Sequence, residues 1–387
     1  MRSRADRFGG IVAGLLAFAA LAIVAGPHPT PYVNFVLLAD AFAHGRVWID
    51  WPGAYIDALP YAGRYYVIEA PLPAVLLLPF VRAFGTGVSQ TLLANVLGGV
   101  ATFAGYDIAA RLGVPLRTRI LLCGFLLLGT DLFWCAELGD VWFIAHVSSV
   151  AFTLLAIREL LGSRRGWVVA IFAACAVESR FSLVLALPIY ALMLAFGSGT
   201  TSKAGRRTGS FVLALVPFVA LWVWYNELRW GLPYDIGYTA WFHQDAAGMP
   251  TGSPFALRYL GYQLQSFFVQ APDRVASFPY LIPSIAGVAL TWTSPALVLA
   301  FFARNPFGLV VSMWALTLAT ALPNLVYYVN GYAQFGMRHA LDFEPFLFVL
   351  MALALRRGAN PIATALIIYS MLAGSYGVWF WKAYVRH

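Results

Sequence analysis

Apolar stretches of roughly span length recur along this chain, separated by short polar turns and by two longer segments that mix aromatic and polar residues. A helix needs about 20 apolar residues to cross the hydrocarbon core of a bilayer. On that criterion the pattern predicts spans at 9–26, 90–112, 120–136, 141–161, 166–178, 181–197, 210–228, 279–303, 307–328, 339–356 and 361–380. The expected fold class is an all-α polytopic membrane protein, a single transmembrane domain over 1–387 built from about 11 helices. Segments 166–178 and 181–197 are short and read as a broken pair packed within the bundle. The 32–44 stretch, YVNFVLLADAFAH, has apolar residues at helical spacing and predicts an amphipathic helix on the membrane surface.

Segment 70–85, APLPAVLLLPFVRAFG, is either a span or a helix lying in the interface, since it is short and carries three prolines and Arg82. Charge decides. If it crosses, Arg111, Arg117 and Arg119 face away from Arg2, Arg4 and Arg7; if it lies flat, both clusters share the cytoplasmic side, as basic loop residues favour. The second arrangement also puts Arg158, Arg164, Arg165, Lys203, Arg206, Arg207, Arg304, Arg356 and Arg357 inside. It leaves two long extracytoplasmic loops, 27–89 and 229–278, with most of the carboxylates on that side. The expected location is the inner (cytoplasmic) cell membrane, multi-pass, with the N-terminus cytoplasmic.

Composition agrees with this class. The chain is 61% hydrophobic and 11% charged, which leaves no sizeable soluble domain. A net charge of +8 does not point to nucleic acid, because the basic residues form short clusters between apolar runs. The basic, then apolar, N-terminus reads as an uncleaved anchor or a signal peptide, and the later spans hold the chain in the membrane either way. Cys123, Cys135 and Cys175 lack metal-ligand spacing and read as packing residues.

With so few carboxylates to place, the first loop stands out: Asp40, Asp50, Asp57 and Glu69 all fall within it. A carboxylate near the interface can take a proton from an attacking hydroxyl or help hold a divalent cation, Mg or Mn, although the sequence requires no cofactor. Taken singly, Asp50 or Asp57 also suits a turn. Glu137 and Asp140 flank a two-residue LG turn and are either substrate contacts or solvated loop charges. Arg180 and Arg338 sit at span edges, where a guanidinium clamps phosphate or forms an internal pair, Arg338 with Asp342 or Arg180 with Glu178. His146, His339, Gln334, Tyr65 and Tyr66 complete the candidates for substrate binding; His146 alternatively serves as a buried hydrogen-bonding residue, and the tyrosines as part of an interfacial aromatic belt.

The order of these pieces resembles the GT-C superfamily of polyprenyl-phosphate-sugar-dependent glycosyltransferases, in particular bacterial relatives of protein O-mannosyltransferases and the lipid A aminoarabinose transferase. The resemblance rests on ADAFAHGRVWID, GRYYVIEAPLPAVLLLPFVRAFG, SRFSLVLALPIYAL, YNELRWGLPYDIGY, WTSPALVLAF and QFGMRHALDFEPFL, and covers most of the chain. It implies inverting transfer of a sugar from a polyprenyl-phosphate carrier to an acceptor hydroxyl on an envelope glycan, lipid or protein, on the extracytoplasmic side. A first-loop acid would act as base and a cation near the later spans would stabilise the departing phosphate. The sequence departs from the family where an early acid is expected: the region reads Thr30, Pro31, Tyr32, Val33, Asn34. The role then falls to Asp40, Asp50 or Asp57. The alternatives are a transporter or flippase of a lipid-linked or amphiphilic substrate, and a noncatalytic partner of an envelope-glycan enzyme.

Overall fold

The computed structural model describes residues 4–27, 30–51, 53, 58–196 and 201–385. Helix α1 (Arg4–Ala25) is followed by α2 (Asn34–Ala43), an antiparallel hairpin of β1 (Leu59–Tyr61) and β2 (Arg64–Tyr66), and α3 (Leu72–Phe84). Then come α4 (Gln90–Arg111), α5 (Leu116–Leu128), α6 (Leu132–Leu138), α7 (Val141–Leu160) and α8 (Gly166–Val177). A 3-10 turn, Phe181–Ala186, leads into α9 (Leu187–Phe196) and the long α10 (Thr201–Trp230). The last part holds α11 (Gly237–Gln244), α12 (Leu260–Phe268), a second hairpin of β3 (Asp273–Arg274) and β4 (Leu281–Ile282), α13 (Leu290–Thr293), α14 (Phe307–Leu325), α15 (Glu344–Ala354) and α16 (Pro361–Tyr384).

The chain is mostly helical, as expected, but the helices are fewer and more broken than the apolar runs suggest. Among the described residues, six are long and apolar enough to cross a membrane: α1, α4, α7, α10, α14 and α16. A seventh results if α5 and α6, bent by 55° at the 129–131 break, count as one. The expected single helix over 279–303 is instead β4, α13 and a 3-10 stretch, Pro295–Phe302. Pro279, Pro283 and Pro295 remove backbone donors there, and the polar run 291–294 offers side-chain alternatives to the helix ladder. Segment 339–356 likewise divides into a 3-10 turn, Arg338–Asp342, and the eleven-residue α15, which starts with Pro345 in its first turn. Helices α8 and α9 are short, as the broken-pair reading expected.

Helices α4 and α7 are buried over most of their length and α1 and α10 over little of theirs, so the bundle is centred on the first pair. Contact between α1 and α4 is close because glycines face each other: a Cβ on Gly14 would lie 2.9 Å from the Gly99 carbonyl oxygen, and one on Gly99 2.8 Å from that of Gly14. Residue pairs along the contact, Gly9 with Tyr106 and Leu21 with Gly98, make the two helices antiparallel.

That pairing fixes where α3 lies. The start of α4 returns to the end of α1, where the Gln90 side chain bonds the carbonyls of Tyr32 and Gly139. Helix α3 therefore leaves from and returns to one end of the bundle. Its buried face, Ala74, Leu77 and Val81, packs on Phe35, Leu38 and Ala39 of α2 and on the first residues of α4 and α7. It covers that end and, at 13 residues, is shorter than the helices long enough to span.

Charge divides the bundle's two ends. At one, Arg119 bonds Asp6 (2.7 Å), Arg111 and Arg158 both bond Asp107 (3.1 and 2.6 Å), and Arg165 bonds Glu159 (2.9 Å). Thr118, beside that cluster, accepts a bond from the Ala359 amide, bringing the Arg356 and Arg357 turn to the same end. The opposite end carries α2, α3, Glu137, Asp140, Glu178 and Asp235. We refer to the basic and the acidic end.

Candidate functional site

The break between α8 and the following 3-10 turn is the centre of the acidic end. Glu178, Ser179 and Arg180 leave the helix there, and the Glu178 carbonyl accepts a bond from the Leu72 amide at the start of α3 (2.9 Å). Ser179 meets Ser148 of α7 (2.7 Å between hydroxyl oxygens). Arg180 turns inward and grips the Asp342 carboxylate through two nitrogens, at 3.2 and 3.0 Å. Ser182 (2.6 Å) and Asn324 (2.9 Å) donate to the same carboxylate, and His146 Nδ1 lies 3.4 Å from it. A fully buried carboxylate with this many donors is satisfied, and removing one partner would strand the others.

Neither internal pair anticipated from spacing forms. Arg180 pairs with Asp342 across 162 residues, whereas Arg338 bonds the Gln334 side chain (2.8 Å) and the Tyr332 carbonyl (3.2 Å). His339 stacks on His146, with centroids 5.5 Å apart. Thus Arg180, His146, Arg338, Gln334 and His339 gather in one buried polar cluster. Deeper in the bundle, Asp131 at the α5–α6 break takes a bond from the Gly336 amide and feels the charge of Glu344, whose two oxygens have no hydrogen-bond partner among the described residues.

A small pocket of mixed polarity opens at the end of α8, with a cavity volume of about 20 Å³. Its wall includes Ala70, Glu178, Ser179, Tyr225, Arg229, Asp235 and Tyr238. Arg229, on the last turn of α10, is held by Asn226 (2.8 Å) one turn earlier and by Asp235 (3.5 Å), and its guanidinium lies 4.1 Å from the centre of the Tyr225 ring. Asp235 is itself oriented by the Trp230 indole and the Gly237 amide, both at 2.9 Å. Glu178 lies in a turn outside the spanning helices. Burial pushes its carboxyl up to about 7, against the opposing pull of Arg229.

Next to this pocket runs an apolar groove between α8–α9 and α10, lined by Ala174, Val184, Leu187, Leu215, Phe218 and Val219, with about 610 Å³ of empty space. Val177, Glu178, Phe181 and Trp222 line both cavities, so the two lie side by side and share a wall. Phe181 and Trp222 stack at their junction, centroids 5.4 Å apart and planes 10° from parallel.

The first-loop acids sit elsewhere. Asp40 is partly exposed on α2, 3.6 Å from His44, and Asp50 is exposed and paired with Arg46 at 3.0 Å. Asp57 lies outside the described residues. Glu69 is buried next to Ala70 of the pocket wall, close enough for its charge to act on Tyr225 and Tyr238. Glu137 pairs with Lys382 (3.3 Å), and Asp140 accepts a bond from the Thr30 hydroxyl, so both are buried structural acids. Tyr65 packs on Trp51 and Tyr66 on Trp230, with centroids 4.7 and 4.9 Å apart. Among the described residues no group of three His, Cys, Asp or Glu side chains is disposed to hold a metal ion, so no step is routed through one.

The sequence reading passes over Arg229 as a site residue and offers Glu178 only as an extracytoplasmic acid and a pair partner for Arg180. A usable signal is present in YNELRWGLPYDIGY, where Asn226 and Arg229 are three apart on a helix and Asp235 follows within a Gly- and Pro-bearing turn. No family model, curated protein or solved structure matches the chain.

Proposed function

We propose that the chain is an integral membrane glycosyltransferase that moves a sugar from a polyprenyl-phosphate carrier to an acceptor hydroxyl, with inversion, at the acidic end. The observation that carries this reading is the adjacency of the pocket at Arg229 and the apolar groove, which share a wall. A lipid-linked sugar phosphate has the same two halves, an isoprenoid chain soluble in hydrocarbon and a charged head that needs a cation. The chain would lie between α9 and α10 and the phosphate would face Arg229.

In the reaction the acceptor oxygen attacks the anomeric carbon as the bond from that carbon to the phosphate oxygen breaks. The bonding pair leaves with the lipid phosphate, whose charge Arg229 neutralises. Glu178 takes the hydroxyl proton, for which a carboxyl titrating near neutral pH is suited. Asp235 holds Arg229 in place. Arg180 and Arg338, expected as phosphate ligands, are engaged inside the buried cluster and act as positioning residues. The positive-inside rule puts the basic end in the cytoplasm of a bacterial inner membrane and the pocket on the outer side.

A transporter or flippase of the same lipid is the second reading, favoured by Asp131 and Glu344, carboxylates buried inside the bundle. The two separate in one experiment with purified protein and a radiolabelled undecaprenyl-phosphate sugar. Release of free undecaprenyl phosphate, with KM raised by Val219→Trp for the long-chain donor but not for a short-chain analogue, is the expected result. Movement of intact donor across proteoliposomes without release would select the transporter.

A further inference from the structure

The second long loop contains a helix whose polarity is inverted. In α12 the polar side chains Gln263 and Ser266 are buried, and both are used: Gln263 bonds the Tyr327 carbonyl (2.8 Å), and Ser266 accepts from Asn330 (3.1 Å). Phe267 is buried beside them, while a strip of other apolar side chains points away from the protein. Leu257, in the preceding 3-10 turn, is 77% exposed, Leu264 41% and Phe268 48%. With Gly261 they occupy steps of four, three and four residues, which is one stripe along a helix. The neighbouring stripe is Arg258, Tyr262 and Gln265, also outward and polar. The outward surface therefore has an apolar strip with a polar strip beside it, the pattern of a helix lying along a bilayer interface.

Its level in the fold is set by its neighbours. Gln263 and Ser266 bond the segment just past the end of α14, a spanning helix. Phe268 accepts from Thr291 through its carbonyl (2.9 Å), tying the end of α12 to α13. The following β3–β4 hairpin carries Phe278, 64% exposed, which packs against Trp379 near the end of α16, another spanning helix. Two spans thus bracket α12 at the height where their last turns meet headgroups, and aromatic residues are concentrated at that height.

We infer that α12 and the β3–β4 hairpin rest in the outer boundary of the lipid leaflet at the acidic end, with Leu257, Leu264 and Phe268 in the acyl region. The 257–282 stretch is then a membrane-embedded cuff and not an aqueous loop. Its occupant is the bilayer itself, because the apolar strip is continuous with the lipid-facing surface of spans on both sides.

Site-directed spin labelling in nanodiscs tests this. Single-cysteine additions at Leu257, Leu264 and Phe268 are compared with additions at Arg258 and Gln265, using the unmodified chain as the label background. The first three should show a several-fold higher ratio of oxygen to nickel-chelate accessibility than the last two. Equal, high nickel accessibility at all five positions would overturn the proposal by putting α12 in water. Protection from both agents, with dipolar broadening between labels on two copies, would overturn it in favour of self-association. Should Phe268→Cys fail to fold, Leu257→Cys and Leu264→Cys give the same readout.

Discussion

The two ends of the bundle use charge in opposite ways. At the basic end every acid in the clusters described has an arginine partner, and although Asp107 and Arg119 are buried, Arg111 and Arg158 reach solvent, at 23% and 25% side-chain exposure. At the acidic end Glu178 faces a cavity beside Arg229, and Asp342 takes bonds from three side chains while fully buried. Charge at a wetted surface costs little and contributes little, whereas buried charge is expensive and must be arranged. On the function proposed above, the basic end sets orientation and the acidic end carries the chemistry.

The contrast is sharpest at Glu178. Glu178→Gln should lower donor turnover by roughly 100-fold or more if the carboxylate is the base, while Asp40→Asn and Asp50→Asn leave it unchanged. The same assay should follow pH. A base acts as its carboxylate, so with a carboxyl near 7 turnover should rise as pH climbs through that value and level off above it. Full activity in Glu178→Gln, or a flat profile between pH 6 and 8, would remove Glu178 from the mechanism.

A smaller but still large effect is expected at Asp342. Asp342→Ala leaves Arg180 buried without its partner and should cost ~3–5 kcal/mol of stability, read as a lower Tm in detergent and poorer accumulation. An unchanged Tm would mean that the acidic end tolerates loose charge and the contrast is false. The smallest effect belongs to the basic end. Asp107→Asn should cost less than Asp342→Ala, because asparagine keeps the shape of the buried side chain and the partly exposed Arg111 and Arg158 can turn to water, and turnover should hold.

Much of the architecture was legible from pattern and charge. Helix α2 falls where the 32–44 periodicity put it, and Gln90 bonding Tyr32 and Gly139 brings the two ends of the 33–89 segment together, as a 70–85 helix lying flat requires. Span counting went too far where apolar composition hides prolines, as in 279–303, because hydropathy is blind to missing backbone donors. The site was less legible. Glu178 and Arg229 are 51 residues apart, and although Asn226 and Asp235 mark Arg229 locally, nothing local links it to Glu178. Clustering of acids in the first loop drew attention to Asp40 and Asp50, yet a short surface loop gathers charge simply because it is wet. Long-range pairing, such as Arg180 with Asp342, has no sequence signature at all.

The LG turn between Glu137 and Asp140 looks like the most replaceable dipeptide in the chain and is among the least. Gly139 has a positive φ of 66°, and a Cβ there would meet the Thr91 Cα at 2.5 Å, backbone that cannot step aside. Its carbonyl is also taken by Gln90, and that of Leu138 by Thr91, each at 2.7 Å. For a descendant of this sequence, the position is closed: drift can rewrite the lipid-facing surface of α10 freely, but the first base change that gives Gly139 a side chain pries α4 from the α6–α7 corner.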